Sequence, residues 1–261
     1  MGIVNVTADS FSDGGKYLAT ENALAQAWRL VEGGADVIDL GPAASHPGAQ
    51  RVSAEEEIRR LAVVLDELVA ARIPVSVDSF LPETQRFAAA HGATYLNDIQ
   101  GFPDPERYAE LADSGCTLIV MHSVQRRGPA TEVRTDASTV YQGIERFFHQ
   151  RLANLQAAGV DRLVLDPGLG HFLGSTPEPS LKVLANLSTL KAQFDRPILV
   201  SPSRKSFLRT LTGTALADIG PATLAAELYA ATQGADLIRT HDTAALTDAL
   251  TIHSALRARC S

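Results

Sequence analysis

Eight short runs of β-branched and aliphatic residues recur along this chain: Gly2–Val6, Asp36–Leu40, Pro74–Asp78, Thr94–Asp98, Thr117–Met121, Leu163–Asp166, Pro197–Ser201 and Leu237–Thr240. Between them lie segments such as Asn22–Val31, Ala54–Ala70, Val140–Ala158, Ser180–Ala192 and Ala222–Thr232, with apolar residues at i, i+3 and i+4. That spacing belongs to helices that bury one face. Helix starts are signalled by Thr20, by Ser53 with Glu56 in capping-box spacing, and by Pro82 and Pro221; Gly33–Gly34, Gly115, Gly159 and Gly234 follow helix ends.

The alternation predicts parallel βα repeats. ADVID, IPVSVD and RLVLD are nearly continuous apolar runs ending in Asp, as expected of strands covered on both faces whose carboxyl ends reach a polar cavity. Eight such units within 261 residues favour an α/β (β/α)8 TIM barrel forming one domain over residues 1–261. A doubly wound open sheet has the same alternation, but an open sheet of this kind often carries a glycine-rich dinucleotide turn, which is not found here.

The net charge of −7 argues against a nucleic-acid or anionic-membrane partner, which needs a basic face. Cys116 and Cys260 lie far apart with no metal-ligand spacing around them, suggesting a reducing compartment without disulfides or structural zinc. No apolar run approaches the roughly 18 residues of a membrane span, and no leader pattern opens the chain. A cytoplasmic protein is expected.

In a (β/α)8 barrel the strand carboxyl ends form the active face. The polar residues there are Asn5, Asp39, Asp78, Asn97 with Asp98, His122, Asp166, Ser203 to Ser206, and Arg239 with His241. Asp78, Asn97 and Asp166 suit the donors and acceptors of a flat heterocycle, although strand-terminal Asp and Asn residues also cap turns and helices. Ser203-Arg204-Lys205-Ser206 and Arg239-Thr240-His241 end strands seven and eight, where barrels commonly hold phosphate. The loop Asn5–Gly15 is long enough to act as a lid, and Gly41–Gln50, with two prolines, to wall a second pocket; each also reads as a plain surface loop. His122 reads equally well as a satisfied histidine at the core edge.

Taken together, GIVNVTADSFSDGG, DLGPAASHPGA, SVDS, YLNDIQG, VMHS, LDPGLG, SPSRKS and IRTHD resemble the dihydropteroate synthases from Gly2 to near Leu256. The resemblance implies condensation of 6-hydroxymethyl-7,8-dihydropterin diphosphate with 4-aminobenzoate, in the presence of magnesium. It assigns Asp78, Asn97, Asp166 and Lys205 to the pterin, and Asn5, Arg239 and His241 to the diphosphate, with Asn5 also near magnesium. It places Ser45, His46, Pro47, Gly170, His171, Ser203 and Ser206 around 4-aminobenzoate. Asp78, Lys205, Arg239 and His241 are then the catalytic set, and a homodimer is expected.

Two segments depart from the family pattern. Ala43, Ala44, Ser45 and His46 stand where housekeeping members usually carry a loop with an acid and an arginine, and Leu169–Gly174 replaces the usual aromatic and glycine-lysine pair. With NDIQGFPDP and VMHSVQR, these features are similar to the mobile sulfonamide-insensitive members, which implies sulfonamide resistance. The pterin barrel of methyltetrahydrofolate methyltransferases is the nearest alternative, but it has no need of SRKS and IRTHD around a diphosphate. A silent pterin-binding protein is the other alternative.

Overall fold

The computed structural model describes residues 1–6, 13–45, 48, 51–125, 127–130 and 132–259, of which 13–19 are described by backbone only. Its strands are β1 (Gly2–Asn5), β2 (Ile38–Gly41), β3 (Val75–Asp78), β4 (Tyr95–Asp98), β5 (Thr117–Met121), β6 (Leu163–Asp166), β7 (Leu199–Val200) and β8 (Leu237–Ile238). Around them run α1 (Asp13–Glu32), α2 (Ala54–Ala70), α3 (Pro82–Ala90), α4 (Tyr108–Asp113), α5 (Ala137–Ala157), α6 (Glu178–Ala185), α7 (Leu187–Phe194), α8 (Ser206–Thr212), α9 (Gly220–Thr232) and α10 (Thr243–Arg257).

Strands β1 to β6 pair in sequence order, all parallel, and β7 pairs with β8. Parallel bridges Leu165↔Ile198 and Gly2↔Thr240 join the two sheets at both ends. The Leu165 amide donates to the Pro197 carbonyl at 2.9 Å, and the Ile3 amide to the Thr240 carbonyl at 2.9 Å. The sheet is therefore closed into the expected eight-stranded barrel, and the open-sheet alternative falls.

Side chains alternate between the two faces of a strand. One face packs outward in the main core, where Val4, Leu40, Val75, Val77, Leu96, Leu118, Val120 and Leu165 meet helix residues such as Leu61, Leu65, Ile144 and Phe148. A separate cluster of Met1, Val37, Ile119, Val164 and Leu199, joined by Tyr95 and Leu237, fills the barrel. Two residues further along each strand stand Ile3, Asp39, Asn97, Met121, Asp166, Ser201 and Arg239, and Asp78 follows the fully buried Ser76 by the same step. An apolar plug thus lies directly beneath a polar layer, the layered filling of such barrels.

Three expectations need correction. The helix predicted over Ser180–Ala192 is two helices, because Asn186 leaves helical geometry and its side-chain amide donates to the Lys182 carbonyl at 2.7 Å. Helix α1 begins at Asp13, ahead of the Thr20 signal and inside the stretch read as the first loop. Only half of the capping box forms: Ser53 Oγ accepts from the Glu56 amide at 3.3 Å, while the Glu56 carboxylate is taken by Arg59 and Arg60. Residues 7–12 of the proposed lid lie outside the described residues, as do His46, Pro47, Ala49 and Gln50 of the second loop.

Candidate active site

Strand register brings the polar layer together. Asp78 is paired with Asn97 across β3 and β4, and Met121 with Asp166 across β5 and β6. Asp166 keeps its place through a turn that only glycine permits: the Gly168 amide donates to Asp166 Oδ1 at 2.8 Å, and at φ +76° a Cβ on Gly168 would stand 2.4 Å from the His122 carbonyl oxygen.

Asp78, Asn97, Asp166, Lys205 and Arg239 line an inner slot of about 30 Å³, with Ile99, Met121, Leu169 and Phe172 as its apolar walls. Among the described residues, Asn97 Oδ1 is buried without a hydrogen-bond partner. A buried amide oxygen left this way is costly unless something else satisfies it. The Lys205 ammonium lies 5.1 Å from the centre of the Phe172 ring, within the range of a cation–π contact.

The slot opens into an outer cavity of about 700 Å³, whose lining includes Asn5, Ser45, His171, Ser203, Ser206 and His241. The segment after β5 roofs it: the Ala130 amide donates to the Ser45 carbonyl at 3.0 Å, the Val124 amide to the Phe172 carbonyl at 2.9 Å, and the Ser175 amide to the Val133 carbonyl at 2.8 Å. The second loop is also fixed from below, where Arg60 Nη1 donates to the Pro42 carbonyl at 2.7 Å.

The charges in this mouth control one another. Arg239 Nε donates to Asp39 Oδ2 at 2.6 Å, and Arg239 Nη2 to Asp78 Oδ2 at 2.8 Å. Burial opposes the Arg239 charge, but Asp39, Asp78 and Asp166 outweigh it and hold the guanidinium protonated. Burial pushes Asp78 up to about 7, with the Asp39 charge adding to it and Arg239 and Lys205 opposing it. Burial raises Asp166 to about 6 against the Gly168 hydrogen bond, and lowers Lys205 to about 8 with help from Arg239. His241 is brought down to about 3 by burial and by the cations Arg204, Arg239 and Lys205. Perturbations of this size, clustered in a cleft, mark a functional site.

Of the residues singled out from sequence, Asn5, Ser45, Asp78, His171, Ser203, Lys205, Ser206, Arg239 and His241 line the outer cavity, and Asn97 and Asp166 join it through the slot. Gly170 lies behind the wall: a Cβ there would meet Lys205 Cδ at 3.3 Å and Ser206 Oγ at 3.4 Å. Asp98 faces the helices, where Gln85 and the Gln100 and Phe102 amides donate to it. His122 is buried, stacked edge-on to Phe147 at 5.4 Å.

Two contributors carried no assigned role in the sequence. Asp39 stands in the polar layer with the other acids and closes the apolar run ADVID, a signal that was available, but its pairing with Arg239 was not. Arg209 lies one helical turn beyond Ser206 and shares the cavity with it; the i, i+3 spacing was the available sign.

Residues 1–241 match the family described as pterin binding enzyme. A dihydropteroate synthase type-2 of Escherichia coli is 55% identical over 258 residues, spanning 98% of this chain and 95% of the relative. The structure of a Xanthomonas albilineans dihydropteroate synthase with 4-aminobenzoic acid superposes with a TM-score of 0.88 at 40% identity, covering 99% of this chain and 92% of that one. The Xanthomonas albilineans enzyme in complex with 7,8-dihydropteroate gives a TM-score of 0.84 at 40% identity, with 99% and 93% covered.

Proposed function

This chain belongs to the pterin-binding enzyme family as a dihydropteroate synthase, and we propose that the residues of its barrel mouth divide the condensation between slot and cavity. The observation that carries this division is the inner slot, where Asp78, Asn97, Asp166 and Lys205 lie together and open onto Arg239 and His241. Asp78, Asn97, Asp166 and Lys205 read the edge of the dihydropterin ring. Arg239, His241 and Asn5 take the diphosphate, and the rim of Ser45, His171 and Ser206 takes 4-aminobenzoate, with Gly170 supporting Lys205 and Ser206 from behind.

In the reaction the bond between the pterin methylene carbon and the diphosphate oxygen breaks, the amine of 4-aminobenzoate forms the new carbon–nitrogen bond, and one amine proton is lost to the departing diphosphate or to water. Arg239 and His241 stabilise the negative charge that develops on the leaving group. Asp78 balances the positive charge that spreads into the pterin ring. The arylamine is neutral at pH 7 and needs no strong base to become a nucleophile.

Magnesium fits this mouth. Asn5, exposed at the end of β1, lines the outer cavity and offers a neutral amide oxygen, and magnesium bound to phosphates typically keeps its waters and takes few protein ligands. Bound beside Asn5, the ion would supply charge neutralisation to the diphosphate.

Insensitivity to sulfonamides is part of the same reading. Ala43, Ala44 and Ser45 line the cavity at positions where the housekeeping pattern has an acid and leads to an arginine. A sulfonamide differs from 4-aminobenzoate by a tetrahedral sulfonyl group and its substituent, and about 1.4 kcal/mol of added clash already discriminates tenfold.

A cytoplasmic, single-domain homodimer completes the proposal. No helix among the described residues is long and apolar enough to cross a membrane, and Leu211, Tyr229, Ile252 and Leu256 are exposed on the late helices, as suits a partner surface.

Diphosphate release from the pterin substrate, followed with magnesium and titrated with 4-aminobenzoate and then sulfamethoxazole, tests the reading. Release that requires 4-aminobenzoate and persists at high drug is the expected result. Release abolished at low drug removes the resistance, and no release from folded protein removes the catalytic division.

A further inference from the structure

His241 Nδ1 lies 2.8 Å from Ser203 Oγ, and the same oxygen accepts the His241 backbone amide at 3.2 Å. Two arrangements satisfy these distances. In one, the Ser203 hydroxyl donates to an unprotonated Nδ1. In the other, Nδ1 carries the proton and donates to Ser203 Oγ, which then accepts twice.

The second arrangement leaves the Ser203 hydroxyl proton without an acceptor among the described residues, in a residue that is 4% exposed. An unsatisfied buried hydroxyl is costly, whereas the first arrangement satisfies both groups. The bond made by one ring nitrogen determines which nitrogen holds the proton. We infer that Ser203 is a positioning residue that locks His241 as the Nε2–H tautomer, presenting a neutral donor to the phosphate oxygens of the leaving group.

This inference rests on the proposed placement of the diphosphate beside His241, and it changes what that residue contributes. The opposite tautomer would turn a bare nitrogen lone pair toward an anion. A protonated ring would add a fourth positive charge beside Arg204, Arg239 and Lys205, the same neighbours that depress its proton affinity. Arg239 therefore carries the fixed positive charge, and His241 supplies direction. It also reassigns Ser203, whose hydroxyl is occupied by His241 and not free for 4-aminobenzoate.

The test is ¹⁵N-histidine NMR of the folded protein at neutral pH, with the His241 signals assigned by their loss in His241→Gln. The expected spectrum has a protonated Nε2 and an unprotonated Nδ1; a protonated Nδ1 in the native protein overturns the lock without any Ser203 variant. In Ser203→Ala the two tautomers should mix and the KM for the pterin diphosphate rise roughly two- to tenfold, with the KM for 4-aminobenzoate unchanged and Ser203→Thr restoring both signals. An unaltered tautomer in Ser203→Ala, with the rise confined to 4-aminobenzoate, also overturns it. A tautomer shift with no change in diphosphate binding supports the lock and removes the diphosphate from His241.

Discussion

Arg239, just past β8, donates to Asp39 within β2, 200 positions away in sequence, through Nε at 2.6 Å. The same guanidinium reaches Asp78 at 2.8 Å, so one cation ties two carboxylates across the barrel mouth. Asp39 is fully buried, and removing one partner of a buried ion pair leaves a charge without compensation. Asp39→Asn is therefore expected to lower unfolding stability by roughly 3 kcal/mol and to weaken pterin diphosphate binding by loosening Arg239. Urea denaturation and the KM measure the two effects; an unchanged midpoint denies the clamp its structural share.

Asp78 should behave in the opposite way. Its carboxylate is strained by burial, so an amide of the same shape relieves a folding penalty while removing the charge that balances the pterin cation. Asp78→Asn is expected to keep or raise the melting temperature and to lower kcat by roughly 100-fold, the scale of losing one electrostatic contact to a transition state. Unchanged turnover excludes this role.

The same shift has a sign that pH reveals. An acid raised to about 7 in the folded chain holds its proton while the unfolded chain has lost it, so its contribution to stability falls as pH rises from about 4 to about 7. The stability of Asp78→Asn relative to the native protein should therefore increase between pH 5 and pH 7.5, by at least about 1 kcal/mol. A difference independent of pH contradicts the raised affinity.

Arg209 lines the cavity beside Ser206 and forms no ion pair with any described residue. A carboxylate leaving the pocket toward the rim meets this charge. Arg209→Ala is expected to raise the KM for 4-aminobenzoate about tenfold, an exposed charge-assisted contact of about 1.4 kcal/mol, with kcat nearly unchanged. The neutral analogue 4-aminobenzamide should show no such change; equal losses for both point to altered packing.

Magnesium removal by a chelator should stop diphosphate release and its return restore it. Asn5→Ala is expected to raise the magnesium concentration for half-maximal rate several-fold, since one ligand among waters and phosphates is lost. The same magnesium dependence in native and variant protein excludes Asn5 as a ligand.

Much of this was legible along the chain because strand and helix periods are local. Apolar runs ending in Asp marked β2, β3 and β6, and the Asp78, Asn97 and Asp166 trio followed from asking what stands at strand ends. The break at Asn186 was less legible, since both halves of the segment keep a helical period and only a side-chain bond to Lys182 interrupts it. Asp98 and Asn97 are neighbours of similar type, yet one serves the slot and the other the helices; strand alternation distinguishes them only when the inner face is known.

The sequence by itself determined the barrel's units, the position of each polar group relative to its strand end, and the family motifs, because these depend on residues a few positions apart. Closure decided the rest. Only when Thr240 meets Gly2 and Ile198 meets Leu165 does Arg239 come within reach of Asp39 and Asp78. Only then do burial and neighbouring charge reverse ordinary ionisation, because proton affinity depends on solvent exclusion and distance in space, and neither is written in the order of residues.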